Sequence, residues 1–411
     1  GIRDIGVTGV QKCALPIYDA MVEVRDGDEL TAAVRRLLSN PAESWAVGAR
    51  GNEVARRRTG ATVRVLQQLL STYESAVPGL VAGPLRRVVL TPLGWFWRAG
   101  LAIDRRRYGA PKKLPRPVIS VGGLAVGGVG KTPFALALAR ILRDSGRRPA
   151  FLTRGYARRD AGSIVVAGPG GDFPVDQTGD EAQLLIRSAL GPVAIGSRRY
   201  DSARQLLRAH QADVFLLDDG FQHWPLDRDL DIVLLDALNP LGGGAVLPLG
   251  RLREPCSALR RASAVVIMRA EQGGVYEGLE REIRRWNPAA PIFLASLKPR
   301  GWINAASGES GAPQGPCAAF CGLGNPESFW RSLRRQHLEV VQCRSFPDHH
   351  RYSSAEIDRL SRLAPALLTT EKDAMNLPPG SPPNIWFLRI EADINERERF
   401  ISWLDGRLAL L

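Results

Sequence analysis

Cysteine, acidic residues and long apolar runs are all scarce in this chain, and each shortage removes a class of protein. Only five cysteines occur in 411 residues: Cys13, Cys256, Cys317, Cys321 and Cys343. No C-x-x-C pair is followed by a second such pair, which excludes a zinc knuckle. An odd, sparse set in a large chain suits a reducing cytoplasm rather than a disulfide scaffold. Cys317 and Cys321 flank "AAF" in an apolar run and read as core residues. There is no apolar stretch of roughly eighteen residues, the length a membrane-spanning helix needs, and no secretory signal pattern. Internal repeats and low-complexity tracts are also lacking. Asp and Glu total 42 against 55 Lys and Arg, a net charge of +13. That excess suits nucleic acid, anionic lipid or a phosphorylated substrate, and charge alone does not choose between them.

What is present falls into segments. Residues 1–18, "GIRDIGVTGVQKCALPIY", have neither helical nor strand periodicity; they resemble a translated sequencing-adapter tail and are set aside from fold reasoning. Residues 19–77 read as helical. "DGDELTAAVRRLLSNP" puts Leu30, Ala33, Val34, Leu37 and Leu38 on one face with Asp28 as the cap, and "VRVLQQLLSTY" repeats the pattern. Between 78 and 117, Trp95, Phe96 and Trp97 mix with Arg86, Arg87, Arg105, Arg106, Arg107, Lys112 and Lys113. Aromatic residues beside basic ones at helical spacing predict a helix lying on an anionic membrane surface. A helix packed on the next domain with its charges solvated reads equally from that pattern.

From 118 onward, short apolar strands alternate with amphipathic helices. Strands are expected at 118–121, 149–153, 192–196, 213–217, 231–235, 264–268 and 291–296, with helices at 133–145 and 200–210. This is an α/β pattern: a mostly parallel sheet covered by helices on both faces, over 118–298. The Gly-, Ser- and Pro-rich stretch 296–315 reads as a loop. It introduces a second, smaller α/β domain over 299–411, with strands "CAAFCGL", "EVVQCRSF", "ALLTT" and "IWFLRI" and a C-terminal helix from 395.

One loop carries the chemistry. "LAVGGVGKTP" joins the strand "VISV" to a helix beginning near Lys131–Pro133, and Pro133 is harmless in a first helical turn. Gly127, Gly128, Val129 and Gly130 would let backbone N–H groups converge on phosphate oxygens at a helix N-terminus. Lys131 would reach the β- and γ-phosphates and Thr132 would ligate Mg²⁺, making the fold P-loop NTPase-like. Ala125 stands where the usual pattern has its first glycine, the position that mainly relaxes the turn. "DVFLLDDGFQH" ends an apolar strand on Asp218–Asp219, an acidic element suited to holding Mg²⁺ directly or through water. Three glycines in a structural turn and a surface Asp pair are the plain alternatives; strand-to-helix placement of the one beside the other favours nucleotide.

The motifs "VGGLAVGGVGKTP", "LTRGYARR", "TGDEAQLL", "LLDDGFQHWPLDRDLDIVLLD", "LPLGRLREP", "CGLGNPESF", "FPDHHRY" and "TEKDAMNL" occur in the order found in the tetraacyldisaccharide 4′-kinase family, over roughly residues 84–400. The chain resembles that family closely. The resemblance implies an ATP- and Mg²⁺-dependent kinase of lipid A biosynthesis, acting on the 4′-hydroxyl of an acylated glucosamine disaccharide 1-phosphate to form lipid IVA. It further implies a peripheral enzyme of the cytoplasmic face of the inner membrane. In that family Ala at the first loop position is usual. Asp180 then looks like the catalytic base, although a carboxylate opening a helix also merely complements the helix dipole. His349 looks like its partner across an interdomain cleft, with Asp348 fixing the His349 tautomer and catalysis depending on domain closure.

By the same resemblance, Asp219 and Glu254 join Thr132 on Mg²⁺. Arg154, Arg199, Asp218, His223 and Arg253 match site positions, the arginines suiting phosphates. Lys372 in "TEKD" matches a family motif and on its own reads as a solvated lysine. Residues 19–77 resemble the C-terminus of a glycosyltransferase of the type that adds Kdo to lipid A precursors, which implies a remnant without activity. The competing function is a P-loop switch ATPase or GTPase acting on a protein partner, which leaves Asp180 and His349 unused. Nucleic acid is not an expected partner, since no reading motif is recognised.

Overall fold

The computed structural model describes residues 26–57, 84–156, 158–160, 162–270, 276–324, 326–336 and 338–411. The expected tail 1–18 and the helical run 63–73 lie outside them. Contacts divide the chain into two units, Gly1–Ala76 and Val77–Leu411. The first contains helices α1 (Gly27–Ser39) and α2 (Pro41–Arg57). The α1 cap is Asp26, not Asp28. Asp26 is extended, and its carboxylate accepts from the N–H groups of Asp28 (3.1 Å) and Glu29 (2.8 Å), so Asp28 falls inside the first turn.

Among the described residues, the second unit starts with α3 (Pro84–Arg107) and builds one sheet of thirteen strands. The strands are β1 (Val118–Gly123), β2 (Pro149–Thr153), β3 (Val165–Ala167), β4 (Val193–Ile195), β5 (Val214–Asp218), β6 (Leu230–Asp236) and β7 (Ala264–Met268). They continue as β8 (Ile292–Asn304), β9 (Ser310–Gly311), β10 (Cys317–Cys321), β11 (Val340–Ser345), β12 (Ala366–Thr370) and β13 (Ile385–Ile394). Their order is β11-β10-β12-β13-β8-β7-β6-β1-β5-β2-β4-β3, with β9 beside β8. Pairing is parallel except at β13/β8, β3/β4 and β8/β9.

Helices α4 (Lys131–Asp144), α5 (Asp180–Arg187), α6 (Arg199–Ala209) and α7 (Glu277–Trp286) cover the first part. Helices α8 (Pro326–Arg334), α9 (Ser354–Ser361) and α10 (Arg397–Leu408) follow. The central strands β1, β5 and β7 are buried on both faces, which is why they read as apolar runs. One face packs Phe134 and Leu138 of α4, Leu185 of α5 and Phe400 of α10. The other packs Leu124, Phe221, Leu259 and Ile283.

The expected loop 296–315 is largely strand. β8 runs through Asn304 because residues 295–304 pair antiparallel with 386–394 of β13, and the turn after it returns as β9. Pro299 is accommodated beside the register shift between Arg389 and Ile390, where a missing N–H does least harm. The expected boundary at 298/299 therefore falls inside a strand, and the sheet is continuous through it.

Candidate active site

The sheet places the glycine loop at the carboxyl end of β1, between the strand and the N-terminus of α4. Gly130 is the α4 N-cap and is left-handed (φ 93°); a Cβ there would meet Met268 and Leu297 at 3.2–3.3 Å. Ala125 has no such need. It bridges Leu252, and the N–H of Val126 donates to Arg251 O (2.8 Å). The loop is thus braced from outside by the segment 251–253, whose Arg253 N–H donates to Leu124 O (2.7 Å).

A cavity of about 2090 Å³ opens over this loop. Its wall includes Gly127, Gly128, Val129, Gly130, Lys131 and Thr132 from the loop, Asp218 and Asp219 from the end of β5, and Glu181. Arg154, Arg199, His223 and Arg253 also face it, as do Asp348, His349 and Lys372 from the second half of the sheet. Residues from either side of β8 thus share one space.

Asp180 opens α5 after Gly179, a left-handed glycine whose added Cβ would strike Tyr156 O at 2.5 Å. Its carboxylate is 4% exposed. One oxygen accepts from the N–H of Glu181 (2.8 Å), the other from Asn376 Nδ2 (3.3 Å) and from His349 Nδ1 (2.8 Å). The pair is already joined in this structure. His349, not Asp180, forms the cavity wall. On its other side Lys372 Nζ sits 3.2 Å from His349 Nε2. A cationic donor there makes Nε2 the acceptor of the neutral ring, so Nδ1 carries the hydrogen given to Asp180.

The tautomer is therefore set by Lys372 and Asp180. Asp348 acts one step removed: its Oδ1 is 2.8 Å from Lys372 Nζ and 3.9 Å from His349 Nε2. Lys372 is no solvated lysine; its side chain is 18% exposed. Burial raises the Asp180 carboxyl, but the His349 hydrogen bond, the Lys372 charge and Asn376 together bring it below the ordinary value. The same hydrogen bond raises His349 above its ordinary value against burial.

The two aspartates at the end of β5 have different partners. Asp219 is left-handed (φ 50°), and Arg253 Nη1 donates to both its oxygens (2.9 and 2.8 Å), with Lys131 Nζ at 3.6 Å. Asp218 is the one that meets the loop: Thr132 Oγ1 donates to its Oδ2 at 3.5 Å, and its Oδ1 is buried without a partner. Burial, with Glu181 and Asp219 close by, pushes the Asp218 carboxyl up to about 7. An orphaned buried carboxylate oxygen beside a threonine hydroxyl, below a phosphate loop, fits the oxygen-donor chemistry of Mg²⁺.

Glu254 does not fit it. Both its oxygens are engaged by Arg261 (3.0 Å each), one also by Gln222 (3.0 Å), and the residue faces away from the cavity. Arg261 in turn stacks on Phe221 and Trp224. Glu254→Ala is expected to cost on the order of 3 kcal/mol of stability by stranding this guanidinium, seen as a lowered melting temperature, with the Mg²⁺ requirement of the folded protein unchanged.

Arg154 is exposed and Arg199 is 7% exposed. Burial and the neighbouring Arg154 lower the Arg199 guanidinium to about 10. His223, behind them, is brought down to about 3 by burial and by Arg199 and Arg228, so it is neutral and its buried Nε2 has no partner. Asn376, Glu181 and Arg269 are site residues that the sequence did not single out; Arg269 donates to Gly128 O and pairs with Asp236. Among the described residues, three of the four non-glycine residues with positive φ (Asp219, Arg269 and His349) line this cavity. Strained backbone of this kind concentrates where function requires it.

Among the described residues no helix is long and apolar enough to cross a membrane. α3 nevertheless exposes Trp95 (67%) and Phe96 (74%). It is tied to the core by Trp97 Nε1, which donates to Arg253 O (2.9 Å), and by Arg105 stacked on Trp224 (4.5 Å).

A sequence profile of the tetraacyldisaccharide-1-P 4′-kinase family matches residues 86–409. The tetraacyldisaccharide 4′-kinase of Syntrophobacter fumaroxidans is 38% identical over 379 residues, covering 88% of this chain and 97% of that protein. The protein of the same name from Anaeromyxobacter dehalogenans (strain 2CP-C) is 44% identical over 319 residues, covering 74% and 82%. Among solved structures, LpxK from Aquifex aeolicus in complex with ATP is 29% identical with a TM-score of 0.61, covering 78% of this chain and 99% of that one.

Proposed function

The chain belongs to the tetraacyldisaccharide-1-P 4′-kinase family, and from that premise we propose that it transfers the γ-phosphoryl group of ATP to the 4′-hydroxyl of an acylated glucosamine disaccharide 1-phosphate. The observation that carries this reading is the hydrogen-bonded Asp180–His349 pair (2.8 Å) with His349 on the wall of the cavity that Lys131 and Thr132 also line. A switch ATPase needs the loop but has no use for the pair.

The roles follow from position. Backbone N–H groups of 127–130 and the Lys131 ammonium take the β- and γ-phosphates. Thr132 Oγ1 and the Asp218 carboxylate would hold Mg²⁺, which supplies neutralisation of charge on the transferred phosphoryl oxygens. Arg253 keeps Asp219 beside Lys131. The acceptor hydroxyl loses its proton to the Asp180–His349 pair, whose Asp180 is ionised at neutral pH. Phosphoryl transfer has a loose transition state, so aligning donor and acceptor and accepting one proton is the main work left to these side chains. Arg154 and Arg199, with the neutral His223 behind them, suit phosphate oxygens on the acceptor.

The acyl chains of such an acceptor stay in a bilayer, and α3 supplies the contact: its aromatic residues enter the interface and its basic residues meet anionic headgroups at the cytoplasmic face of the inner membrane. Replacing Trp95 and Phe96 together with alanine is expected to lower partitioning onto anionic vesicles at least about tenfold, measured by sedimentation, with ATP binding unchanged. The function itself is tested by mixing the purified full chain, labelled ATP, Mg²⁺ and the disaccharide 1-phosphate in detergent. Label appearing on the lipid supports the reading. A folded, ATP-binding protein that leaves the lipid unlabelled refutes it.

A further inference from the structure

We propose that helix α8 carries a second phosphate-binding wall, centred on Arg331, that faces the glycine loop across the cavity. The inference rests on the kinase reading above and adds to it a subsite outside the loop. Ser328, Arg331, Ser332 and Arg335 recur at helical spacing and all line the cavity. An adjoining stripe of the helix is committed to the core, with Phe329, which also reaches the cavity, and Leu333 3% and 2% exposed. That packing fixes the rotation of α8 and so fixes which side chains look into the space.

The charge of the helix is sorted in the same way. Arg334, on the outer side, is paired with Glu327. Arg331 is half-buried on the inner side and takes part in no ion pair among the described residues. The nearby acid on this wall, Asp348, is held by Lys372. A guanidinium lining a large cavity, with a second arginine four residues on and the Asp348 and Glu327 carboxylates paired elsewhere, matches the multiple acceptor oxygens of a phosphate group. The loop supplies donors from one side only. Arg331 adds a donor from the other half of the sheet, on the side of the cavity that also presents His349.

Two phosphates are available in the reaction, those of ATP and the 1-phosphate of the acceptor, and both present the same chemistry to Arg331. The experiment separates them by binding, without turnover. Calorimetry on the full chain measures ATP–Mg²⁺ in one arm. In the other it measures the acylated disaccharide 1-phosphate in detergent, against the same disaccharide lacking the 1-phosphate. Arg331→Gln is expected to weaken one of the two phosphate ligands about tenfold or more, and to leave the dephosphorylated lipid unaffected. The arm that weakens names the phosphate. Arg331→Lys, which keeps the charge, should retain part of the affinity, and Arg335→Gln, at an exposed position, gives a weaker loss in the same arm should Arg331→Gln fail to fold. Unchanged affinity in both arms for folded Arg331→Gln, or for Arg335→Gln together with Arg331→Lys, overturns the proposal. Wild-type protein that binds both ligands yet transfers no label refutes the kinase reading instead, and the binding arms still decide on Arg331.

Discussion

Asp180→Asn is expected to lower kcat by about 10²- to 10⁴-fold, the usual worth of a positioned general base, while ATP binds as before. The amide keeps the shape and, with its oxygen toward His349 Nδ1, still accepts there, but its NH2 then meets the Glu181 N–H, so that one hydrogen bond is lost together with the charge. Asp180 touches Glu181, His349 and Asn376 and no residue of the glycine loop, which is why nucleotide affinity should not follow. The companion variant reads through pH. In the wild type, burial raises the Asp180 carboxyl, and the His349 hydrogen bond, Lys372 and Asn376 outweigh it. His349→Ala deletes the largest of the lowering contributions and leaves burial. The Asp180 carboxyl must then rise, so the acid limb of the kcat/KM profile moves to higher pH. A His349→Ala profile unshifted or shifted to lower pH would show that the pair is not what titrates.

Asp218→Asn should separate activity from stability with opposite signs. The change removes a negative charge from the oxygen set below the glycine loop, and kcat/KM is expected to fall roughly 10²- to 10³-fold, the cost of losing one preorganised electrostatic partner, with a higher Mg²⁺ requirement. The folded protein should be no less stable, and in chelator more so. Asp218 is 3% exposed with an unpartnered oxygen and two acids nearby. Because its carboxyl is raised to about 7 in the fold, the native state is undisturbed below the ordinary carboxylate value and loses stability as pH climbs from there to about 7. The melting temperature of Asp218→Asn, compared with wild type in chelator, should therefore gain with pH over that window and level off above it. A variant less stable than wild type at pH 8 would place Asp218 in a favourable ion pair that this structure does not contain.

The legible parts of the molecule were those governed by local rules. β2, β7 and β12 carry their expected residues because strands buried on both faces are apolar throughout and end at Gly, Pro or charge. The glycine loop was readable from its junction between strand and helix. What escaped was set by partners distant in sequence. β8 continues through "LKPRGWIN" only because β13, some ninety residues later, offers an antiparallel edge; the composition of that stretch argues for a loop. Asp180 and His349 lie 169 residues apart, and no periodicity joins them; the family resemblance did. Which of Asp218 and Asp219 turns toward Thr132 depends on the left-handed backbone at Asp219, which an aspartate permits but does not announce. Glu254 shows the reverse case. Its motif suggested a metal ligand, and Arg261, on the turn that follows, had already claimed both oxygens.

The unbroken sheet limits how the molecule can deform. The two walls of the cavity are not lobes on a swivel: β8 belongs to both, laddered to β7 at one end and to β13 along the other. Bringing Arg331 or His349 nearer to the glycine loop must wring this shared ribbon, spreading small torsions over many interstrand bonds.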